Sequence, residues 1–432
     1  MTELLMHTFR TLALVAAFSA MALGLRAQSP QTRDLRADFS QNRERSAGVY
    51  HSYEYTPEAD TPSPKGYKPV YISHYGRHGS RHQIGSRGRR AYEAWAAAEE
   101  AGLLTDAGKE MMEDIRKVYQ EHLGMDGELS VRGGREHQAI ARRMRARFPQ
   151  VFRNSGRREV HCQASIIPRC LISMANFTTA LKDEVPSLQF DFITGQKYID
   201  LLAHDYRDED SWKSVQRAAR DSLLMALVDP FPFIDRYFKD DPARGEVLPN
   251  PHQLLWHTFL YVVICQDLQY ELDGLDMYHW LTPEEIEALG MYTNDRTYSS
   301  FGNTLEYGDN ITWAAKDLVK DIVDRSDRAL AEGTTAADLR FGHDSGILPL
   351  AGLMGLEGVS DRWRIGEAHL HYPVWKNIPM GSNLQMVFYR NRKGETLVKI
   401  LYNEKETLIP ALTAAEGPYY RWEELRSYLL SR

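Results

Sequence analysis

The chain has few cysteines, no excess of positive charge, and no internal repeat or low-complexity tract. Its 432 residues include only Cys162, Cys170 and Cys265, so at most one disulfide can form, and a fold built on disulfides is excluded. No cluster of Cys and His has the spacing of a zinc site. The formal net charge of -7 excludes a global basic field for nucleic acid, so any attraction for an anion has to be local.

A long apolar run lies at the N-terminus, in residues 11–25, directly after Arg10. This arrangement is typical of a secretion signal that ends at Ala27. The run is short for a membrane span, and a signal anchor is the alternative. No cysteine follows Ala27, which argues against a lipoprotein. We expect residues 1–27 to be a signal peptide and the mature chain to be exported to the periplasm, the cell surface or the medium, with no stable membrane span.

The rest of the chain predicts an α/β fold, in which a doubly wound sheet domain carries an inserted, mostly α-helical second domain. The composition, 43 % hydrophobic and 26 % charged, is that of an ordinary soluble protein, and the length exceeds one typical domain. Residues 195–311 show long helical patterns and few strands, whereas strand and helix patterns alternate on either side. We therefore expect residues 28–194 and 312–432 to form the α/β domain, and residues 195–311 to form the insertion.

The most informative stretch joins a strand to a turn that contains two glycines. The apolar run Pro69-Val70-Tyr71-Ile72 is followed by Gly76-Arg77-His78-Gly79-Ser80-Arg81. The glycines favour a tight turn and a close approach of a ligand to the backbone. The pattern holds an imidazole between two guanidinium groups at the carboxyl end of a strand, where open α/β sheets bind ligands. Because arginine binds phosphate oxygens bidentately and keeps its charge, the motif suits a phosphate monoester; a solvated loop is the simpler alternative.

A second motif, Gly342-His343-Asp344-Ser345-Gly346, lies between a short strand and an apolar helix. Such a turn places an imidazole and a carboxyl group at a helix N-terminus, where anions bind well. The simpler interpretation is that Asp344 only caps the helix. The same dipeptide recurs as His204-Asp205, where nothing nearby indicates a pocket, and we interpret it as structural.

Arg169 supplies a third signal, after the strand-like residues 159–163 and the run Ser165-Ile166-Ile167-Pro168. In their order and spacing, together with the helical insertion, the motifs around His78, Arg169 and His343 resemble the histidine acid phosphatases. This family is the two-domain branch of the histidine phosphatase superfamily, and it includes phytases and multiple inositol polyphosphate phosphatases. The resemblance covers most of the mature chain.

The resemblance implies an exported phosphomonoesterase that cleaves inositol phosphates such as phytate, or other small phosphate esters, through a phosphohistidine. His78 is implied as the nucleophile. Asp344 is implied as the acid that protonates the leaving oxygen and then helps to activate water. The residues implied to hold the transferring phosphoryl group are Arg77, Arg81, Arg169 and His343. No metal and no cofactor is implied.

Elementary chemistry agrees with these roles. An imidazole attacks only when neutral, and nearby guanidinium groups disfavour the imidazolium, so His78 stays neutral below its ordinary pKa. Three arginines can balance the charge that Mg²⁺ balances in other phosphoryl-transfer enzymes. Because an alkoxide is a poor leaving group, Asp344 has to begin protonated, which predicts an acidic pH optimum.

Two positions depart from the family pattern. Gln83 stands two residues beyond Arg81, where family members often carry proline, and we expect the loop to differ there. The triplet His343-Asp344-Ser345 stands where the inositol polyphosphate phosphatases often carry His-Ala-Glu. The pair is therefore more similar to that of bacterial phytases and acid phosphatases.

Several residues beside the first motif are candidates for the substrate pocket. His74 and His82 flank the catalytic histidine and could line it. A basic run follows, and it either receives distal phosphates of an inositol polyphosphate or forms the solvated face of a helix; its members are Arg87, Arg89 and Arg90.

The sequence leaves rival functions open. A broad acid phosphatase differs from a phytase only in its substrates. A mutase of the same superfamily would be compact and cytosolic, which conflicts with the leader and the insertion. A non-catalytic anion- or glycan-binding protein would have no use for both His78 and Asp344. A zinc hydrolase would use His74, His78 and His82, but glycines separate them and no Glu follows the first two. The expected partner is a small phosphate ester, and not nucleic acid.

Overall fold

The computed structural model describes residues 34–153, 156–203 and 210–432, without the side chains of residues 86–88 and 210–212. The signal peptide predicted for residues 1–27 and the dipeptide His204-Asp205 lie outside the described residues.

The strands and helices alternate through much of the chain. The strands are β1 (Lys68–Arg77), β2 (Glu159–Ala164), β3 (Gln189–Thr194), β4 (Thr335–Gly342), β5 (Asn383–Arg390), β6 (Thr396–Tyr402), β7 (Lys405–Glu406) and β8 (Tyr419–Arg421). The α-helices are α1 (Leu35–Gln41), α2 (Ser86–Glu100), α3 (Asp106–His122), α4 (Val131–Arg147), α5 (Pro149–Phe152), α6 (Pro168–Glu184), α7 (Ile199–Ala203), α8 (Asp210–Leu227), α9 (Phe231–Tyr237), α10 (Arg244–Val247), α11 (Pro251–Ile264), α12 (Pro283–Phe301), α13 (Gly308–Trp313), α14 (Lys316–Glu332), α15 (Asp344–Met354), α16 (Val374–Asn377) and α17 (Trp422–Leu430). Short 3-10 helices cover Arg43–Tyr50, Gln196–Tyr198, Tyr278–Trp280 and Ala368–Leu370.

Within the described residues, all strands belong to one sheet in the order β3-β2-β4-β1-β5-β6-β7, with β8 paired to β6. The strands β3, β2, β4 and β1 are parallel, whereas β5 and β6 are antiparallel to their neighbours. Parallel neighbours need crossover connections, which the intervening helices supply. The strands β5 and β6 form an antiparallel hairpin, with Leu384 opposite Tyr402.

Both faces of the central strands of this sheet are buried. Along β1, Tyr71 packs into one hydrophobic core and its neighbour Ile72 into a second; along β5, Met386 and Val387 divide in the same way. The alternation follows from the period of two along a strand. Burying a side chain of this size contributes about 1.5–3 kcal/mol, so both layers of helices are held by apolar contact. The predicted α/β fold with a doubly wound sheet is confirmed.

The described part of residues 195–311 consists of helices and turns. In α11 every side chain from Leu254 to Ile264 is buried. At the start of α12, Thr282 and Glu285 form a capping box, which contributes about 1 kcal/mol. Whether this segment is a separate domain stays a prediction. None of the described helices is long and apolar enough to cross a membrane.

Candidate active site

Three parallel strands bring the predicted motifs to one edge of the sheet. β1 ends at Arg77, β2 at Ala164 and β4 at Gly342, so their carboxyl ends meet. The backbone pairing continues past the strand ends, because the N–H of His78 donates to the carbonyl of Gly342 over 3.0 Å. As a result, the rings of His78 and His343 lie edge to face with their centroids 5.6 Å apart.

The backbone decides which nitrogen of His78 is available. Nδ1 of His78 lies 2.9 Å from the carbonyl oxygen of Gly79. A carbonyl oxygen only accepts, so Nδ1 carries the hydrogen and Nε2 keeps a free lone pair. The N–H of Gly381 holds the carbonyl of His78 over 2.9 Å. The imidazole is therefore fixed in the tautomer that can attack through Nε2.

Arg77 is fully buried beside this imidazole. Its Nη1 donates to the carbonyl oxygens of Val49 and Ile378, each over 2.8 Å, and its Nη2 donates to Oδ2 of Asp344 over 3.2 Å. These contacts fix the orientation of a guanidinium group whose charge cannot be removed near neutral pH.

Arg81 and Arg169 complete a set of three cations around His78. Nη1 of Arg81 donates to the carbonyl of His82 over 2.8 Å, and Arg169 comes from the first turn of α6. The Nε atoms of Arg77, Arg81 and Arg169 are all buried and have no hydrogen-bond partner among the described residues. Unpaired buried donors are costly, so three such arginines in one place indicate a site made for an anion.

His343 and Asp344 stand at the N-terminus of α15. Nδ1 of His343 lies 3.4 Å from Nη2 of Arg169, and its Nε2 lies 3.1 Å from Oγ of Ser165. Oδ1 of Asp344 accepts the N–H of Ser345 over 2.9 Å while Oδ2 accepts from Arg77. His343 occupies the N-cap position of α15 and no side chain caps the helix, so the simpler interpretation of Asp344 as a cap is wrong, and its carboxylate instead pairs with Arg77.

Burial and the arginines set the charges of these groups. Burial, and then Arg169 and Arg77, lower the pKa of His78 well below its ordinary value. Burial and Arg169 lower the pKa of His343 to about 3. For Asp344, burial raises the pKa, but Arg77, His343 and Arg81 together outweigh burial and lower it. Without substrate the histidines are neutral, and Asp344 is ionised more readily than an ordinary aspartate.

Comparison with known proteins gives these residues a context. No family model matches the sequence. The chain is 26 % identical over 390 residues to multiple inositol polyphosphate phosphatase 1 of Gallus gallus, a match that covers 84 % of this chain and 82 % of that protein. Its fold is similar to that of the Bifidobacterium longum multiple inositol polyphosphate phosphatase in complex with inositol hexasulfate, with a TM-score of 0.73, 17 % identity, and coverage of 89 % of this chain and 97 % of the other. It is also similar to the phytase of D. castellii, with a TM-score of 0.68, 13 % identity, and coverage of 94 % and 89 %.

The chain is thus similar in sequence to one member of the histidine acid phosphatase family and in fold to others. The resemblance drawn from the motifs around His78, Arg169 and His343 is thereby confirmed, and with it the enzyme class, a phosphoric monoester hydrolase. The roles of individual residues stay predictions.

The glutamine that departs from the family pattern forms a hydrogen bond that proline cannot form. The N–H of Gln83 donates to Nε2 of His122 over 2.9 Å, and Nδ1 of His122 lies 2.6 Å from the carbonyl of Val118. Proline has no N–H, so a loop with proline at this position could not form this contact. His122 accepts here only when neutral, and burial lowers its pKa to about 4.

The other pocket candidates do not all lie where we expect them. His74 packs against Phe177 and Phe341 in a hydrophobic core, with ring centroids 5.2 and 5.5 Å away, so the prediction that it lines the pocket is wrong. Nδ1 of His82 lies 3.1 Å from the carbonyl of Glu128. In the basic run, Arg89 and Arg90 are exposed, and the side chain of Arg87 lies outside the described residues.

Helix α4 closely approaches the backbone at Gly79. A Cβ atom at Gly79 would lie 2.5 Å from the carbonyl oxygen of Gly133, so the absence of a side chain leaves room for this helix. On the same helix, Glu136 accepts the N–H of Ser80 over 2.8 Å. Sequence reasoning missed Glu136, because a glutamate in an amphipathic helix carries no signal that separates it from a solvated charge.

Proposed function

We propose that the protein hydrolyses phosphate monoesters of inositol, phytate among them, through a phosphohistidine formed on Nε2 of His78. The observation that carries this proposal is a set of three arginines around a neutral imidazole whose Nε2 is free. Arg77 and Arg81 are buried and Arg169 is half-buried, and the Nε atoms of all three are buried without a partner among the described residues. The relatives support the substrate class, since one is named an inositol polyphosphate phosphatase and another binds inositol hexasulfate. A broad acid phosphatase is the second candidate.

In the first step, Nε2 of His78 attacks phosphorus while the bond to the ester oxygen breaks. Arg77, Arg81 and Arg169 hold the equatorial oxygens, over which charge spreads in phosphoryl transfer, and His343 completes the pocket. Asp344 gives its proton to the leaving oxygen. In the second step, water attacks the phosphorus of the phosphohistidine while the bond from phosphorus to Nε2 breaks, and the Asp344 carboxylate takes a proton from that water. Inorganic phosphate leaves, and His78 and Asp344 return to their starting states.

The substrate itself helps to load Asp344 with its proton. In the free site, the positive charges of Arg77 and Arg81 keep the pKa of Asp344 low. A bound phosphate dianion offsets these charges. Removing that effect leaves burial as the main influence, and burial raises the pKa of a carboxyl group. Asp344 is therefore expected to take up a proton as the substrate binds.

We also propose that the chain is exported, on the evidence of the signal-peptide pattern in residues 1–27. Export places the enzyme where phytate and other phosphate esters from outside the cell would reach it.

The test is hydrolysis of p-nitrophenyl phosphate and phytate from acidic to mildly alkaline pH, with EDTA present, by wild-type protein and His78→Ala. We expect activity that EDTA does not reduce and a loss of at least about 10³-fold in His78→Ala. His279→Ala, an exposed histidine near Asp276, is the matched control and keeps activity. Activity retained by His78→Ala, or abolished by EDTA, would contradict the proposal, and the ratio of the two substrates separates a phytase from a broad acid phosphatase.

A further inference from the structure

The buried carboxylate of Glu136 contacts both polar groups of Ser80. Ser80 lies in the catalytic loop, residues 78–81, which follows β1. The N–H of Ser80 donates to Oε2 of Glu136 over 2.8 Å, and Oγ of Ser80 lies 2.8 Å from Oε1. Glu136 lies in α4, 56 residues further along the chain. This contact ties the loop that carries His78 to a helix of the scaffold.

A second buried carboxyl group lies on the other side of Ser80. Oγ of Ser52 is 3.1 Å from Oγ of Ser80 and 2.7 Å from Oδ1 of Asp267. Asp267 is fully buried, and its Oδ2 has no hydrogen-bond partner among the described residues. Successive hydrogen-bond contacts join the four side chains into a chain in the order Asp267, Ser52, Ser80 and Glu136.

The number of hydrogens available to these contacts is too small if both carboxyl groups are ionised. Three oxygen–oxygen contacts join the four groups, and each contact needs one hydrogen between its oxygens. The two serine hydroxyls supply two hydrogens. With both carboxyls ionised, one contact would bring lone pairs together in a buried place of low dielectric, which is costly. The third hydrogen therefore has to come from a carboxyl group.

Asp267 is the better place for that hydrogen. Glu136 accepts the N–H groups of Ser80 and Tyr53, and such donors favour an ionised carboxylate. Burial, followed by the nearby charge of Glu136, raises the pKa of Asp267 to about 7, against the lowering effects of the two serine hydroxyls and Arg132.

We propose that Asp267 and Glu136 share one proton through Ser52 and Ser80, and that this linked chain positions the catalytic loop. Asp267 donates to Ser52, Ser52 donates to Ser80, and Ser80 donates to Glu136. Asp267, Ser52 and Glu136 are positioning residues, since they act on the site through the backbone of Ser80.

The charged groups around Asp267 connect this proton to anion binding. Glu136 and Arg132 face it from α4, and Arg77 and Arg81 from the end of β1 and the catalytic loop; the buried thiol of Cys265 precedes it on its own segment. Loss of the proton leaves one contact without a hydrogen and adds a negative charge near both arginines. Binding of an anion should therefore weaken as the pH rises through neutrality. This consequence rests on the proposed function, whereas the shared proton does not.

Infrared spectroscopy tests the proton directly, without any need for activity. From about pH 5 to about pH 9, the wild-type protein should show the C=O stretch of a protonated carboxylic acid that disappears near neutral pH. The band should be absent from Asp267→Asn and present in Asp295→Asn, which alters another buried aspartate whose contacts are with Gly366 and His369. A band that Asp267→Asn does not remove overturns the proposal. If Asp267→Asn fails to fold, Ser52→Ala replaces it, and an unshifted band in that variant has the same meaning.

Binding of inositol hexasulfate, whose sulfate groups do not titrate in this range, tests the effect on the site. The wild-type Kd should rise by about tenfold from about pH 6 to about pH 8, the effect of one charge at several ångströms. In Asp267→Asn the amide still donates to Ser52, so the Kd should stay constant, while Asp295→Asn follows the wild type. Parallel curves for wild type and Asp267→Asn overturn the proposed coupling. A wild-type protein that shows the infrared band but hydrolyses no ester would contradict the proposed function alone.

Discussion

At the scale of single residues, Asp344 is under opposed influences. Burial raises the pKa of its carboxyl group, and Arg77, His343 and Arg81 lower it. The ion pair with Arg77, at 3.2 Å, stabilises the carboxylate only while no substrate dianion occupies the arginines. Asp344 is therefore expected to be ionised in the free enzyme and protonated in the substrate-bound enzyme. The acidic pH optimum predicted from the sequence requires this protonated state when substrate is bound.

Replacing Asp344 by asparagine keeps its shape and removes its proton. We expect Asp344→Asn to lower kcat on an alkyl phosphate by about 10²–10⁴-fold, because the alkoxide then leaves without protonation. The loss on p-nitrophenyl phosphate should be much smaller, since nitrophenolate is a weak base. The fall of wild-type kcat with rising pH should disappear in the variant. Steady-state kinetics on both esters checks this, and an equal loss on the two would contradict the role of acid.

At the scale of elements, the catalytic loop and the N-terminus of α4 approach each other without space for a methyl group. A Cβ atom at Gly133 would lie 2.2 Å from the carbonyl oxygen of Ser80 and 2.8 Å from its nitrogen. The first turn of α4 thus packs directly on the backbone that carries His78, the proposed nucleophile. The geometry of the site depends on this packing as much as on the side chains that face the substrate.

We expect Gly133→Ala to displace Ser80 and to lower kcat/KM by at least about tenfold, with a cost of about 1–3 kcal/mol in the free energy of unfolding. Gly245→Ala is the matched control, because Gly245 also lies in a helix and a Cβ there meets nothing within 4 Å. That control should keep its activity and gain about 0.5–1 kcal/mol. Thermal denaturation and kinetics of both variants check the expectation, and equal behaviour would contradict it.

At the scale of the whole molecule, the core beneath the site contains histidines that are buried in the neutral form. Burial lowers the pKa of His74 to about 3 and that of His137 to about 4. The unfolded chain binds these protons near pH 6.5, and the folded chain binds them only in stronger acid. The free energy of unfolding should therefore fall as the pH decreases from about 6.5 to these folded values, by up to about 1.4 kcal/mol per pH unit for each histidine.

This acid sensitivity is measurable with His74→Leu. Leucine fills a similar space between Phe177 and Phe341 and binds no proton, so the variant should lose less of its unfolding free energy between about pH 6.5 and about pH 4 than the wild type loses. Urea denaturation at several pH values gives the slopes. His279→Ala, which removes an exposed histidine, should have the wild-type slope. Parallel slopes for wild type and His74→Leu would show that His74 does not contribute.

Local patterns in the sequence were sufficient to predict the fold class and the location of the candidate site. Strands of β-branched and aromatic residues, the apolar run of α11 and the capping box at Thr282 are properties of short segments, so they are visible without coordinates. The motifs at His78 and His343 each follow a strand, and parallel strands bring their carboxyl ends together. The resemblance to the histidine acid phosphatases followed from the same motifs.

Tertiary structure alone decided how the site is held. The ion pair of Arg77 with Asp344 joins residues 267 positions apart, and the contact of Ser52 with Asp267 spans 215. The location of His74 in the core and the contact of Glu136 with Ser80 have no signal in the local sequence. Protonation states depend on the surroundings of a buried group in three dimensions, and those surroundings come from distant parts of the chain. The sequence by itself therefore determined the fold class and the residue types of the site, and the packing decided their orientation and their charge.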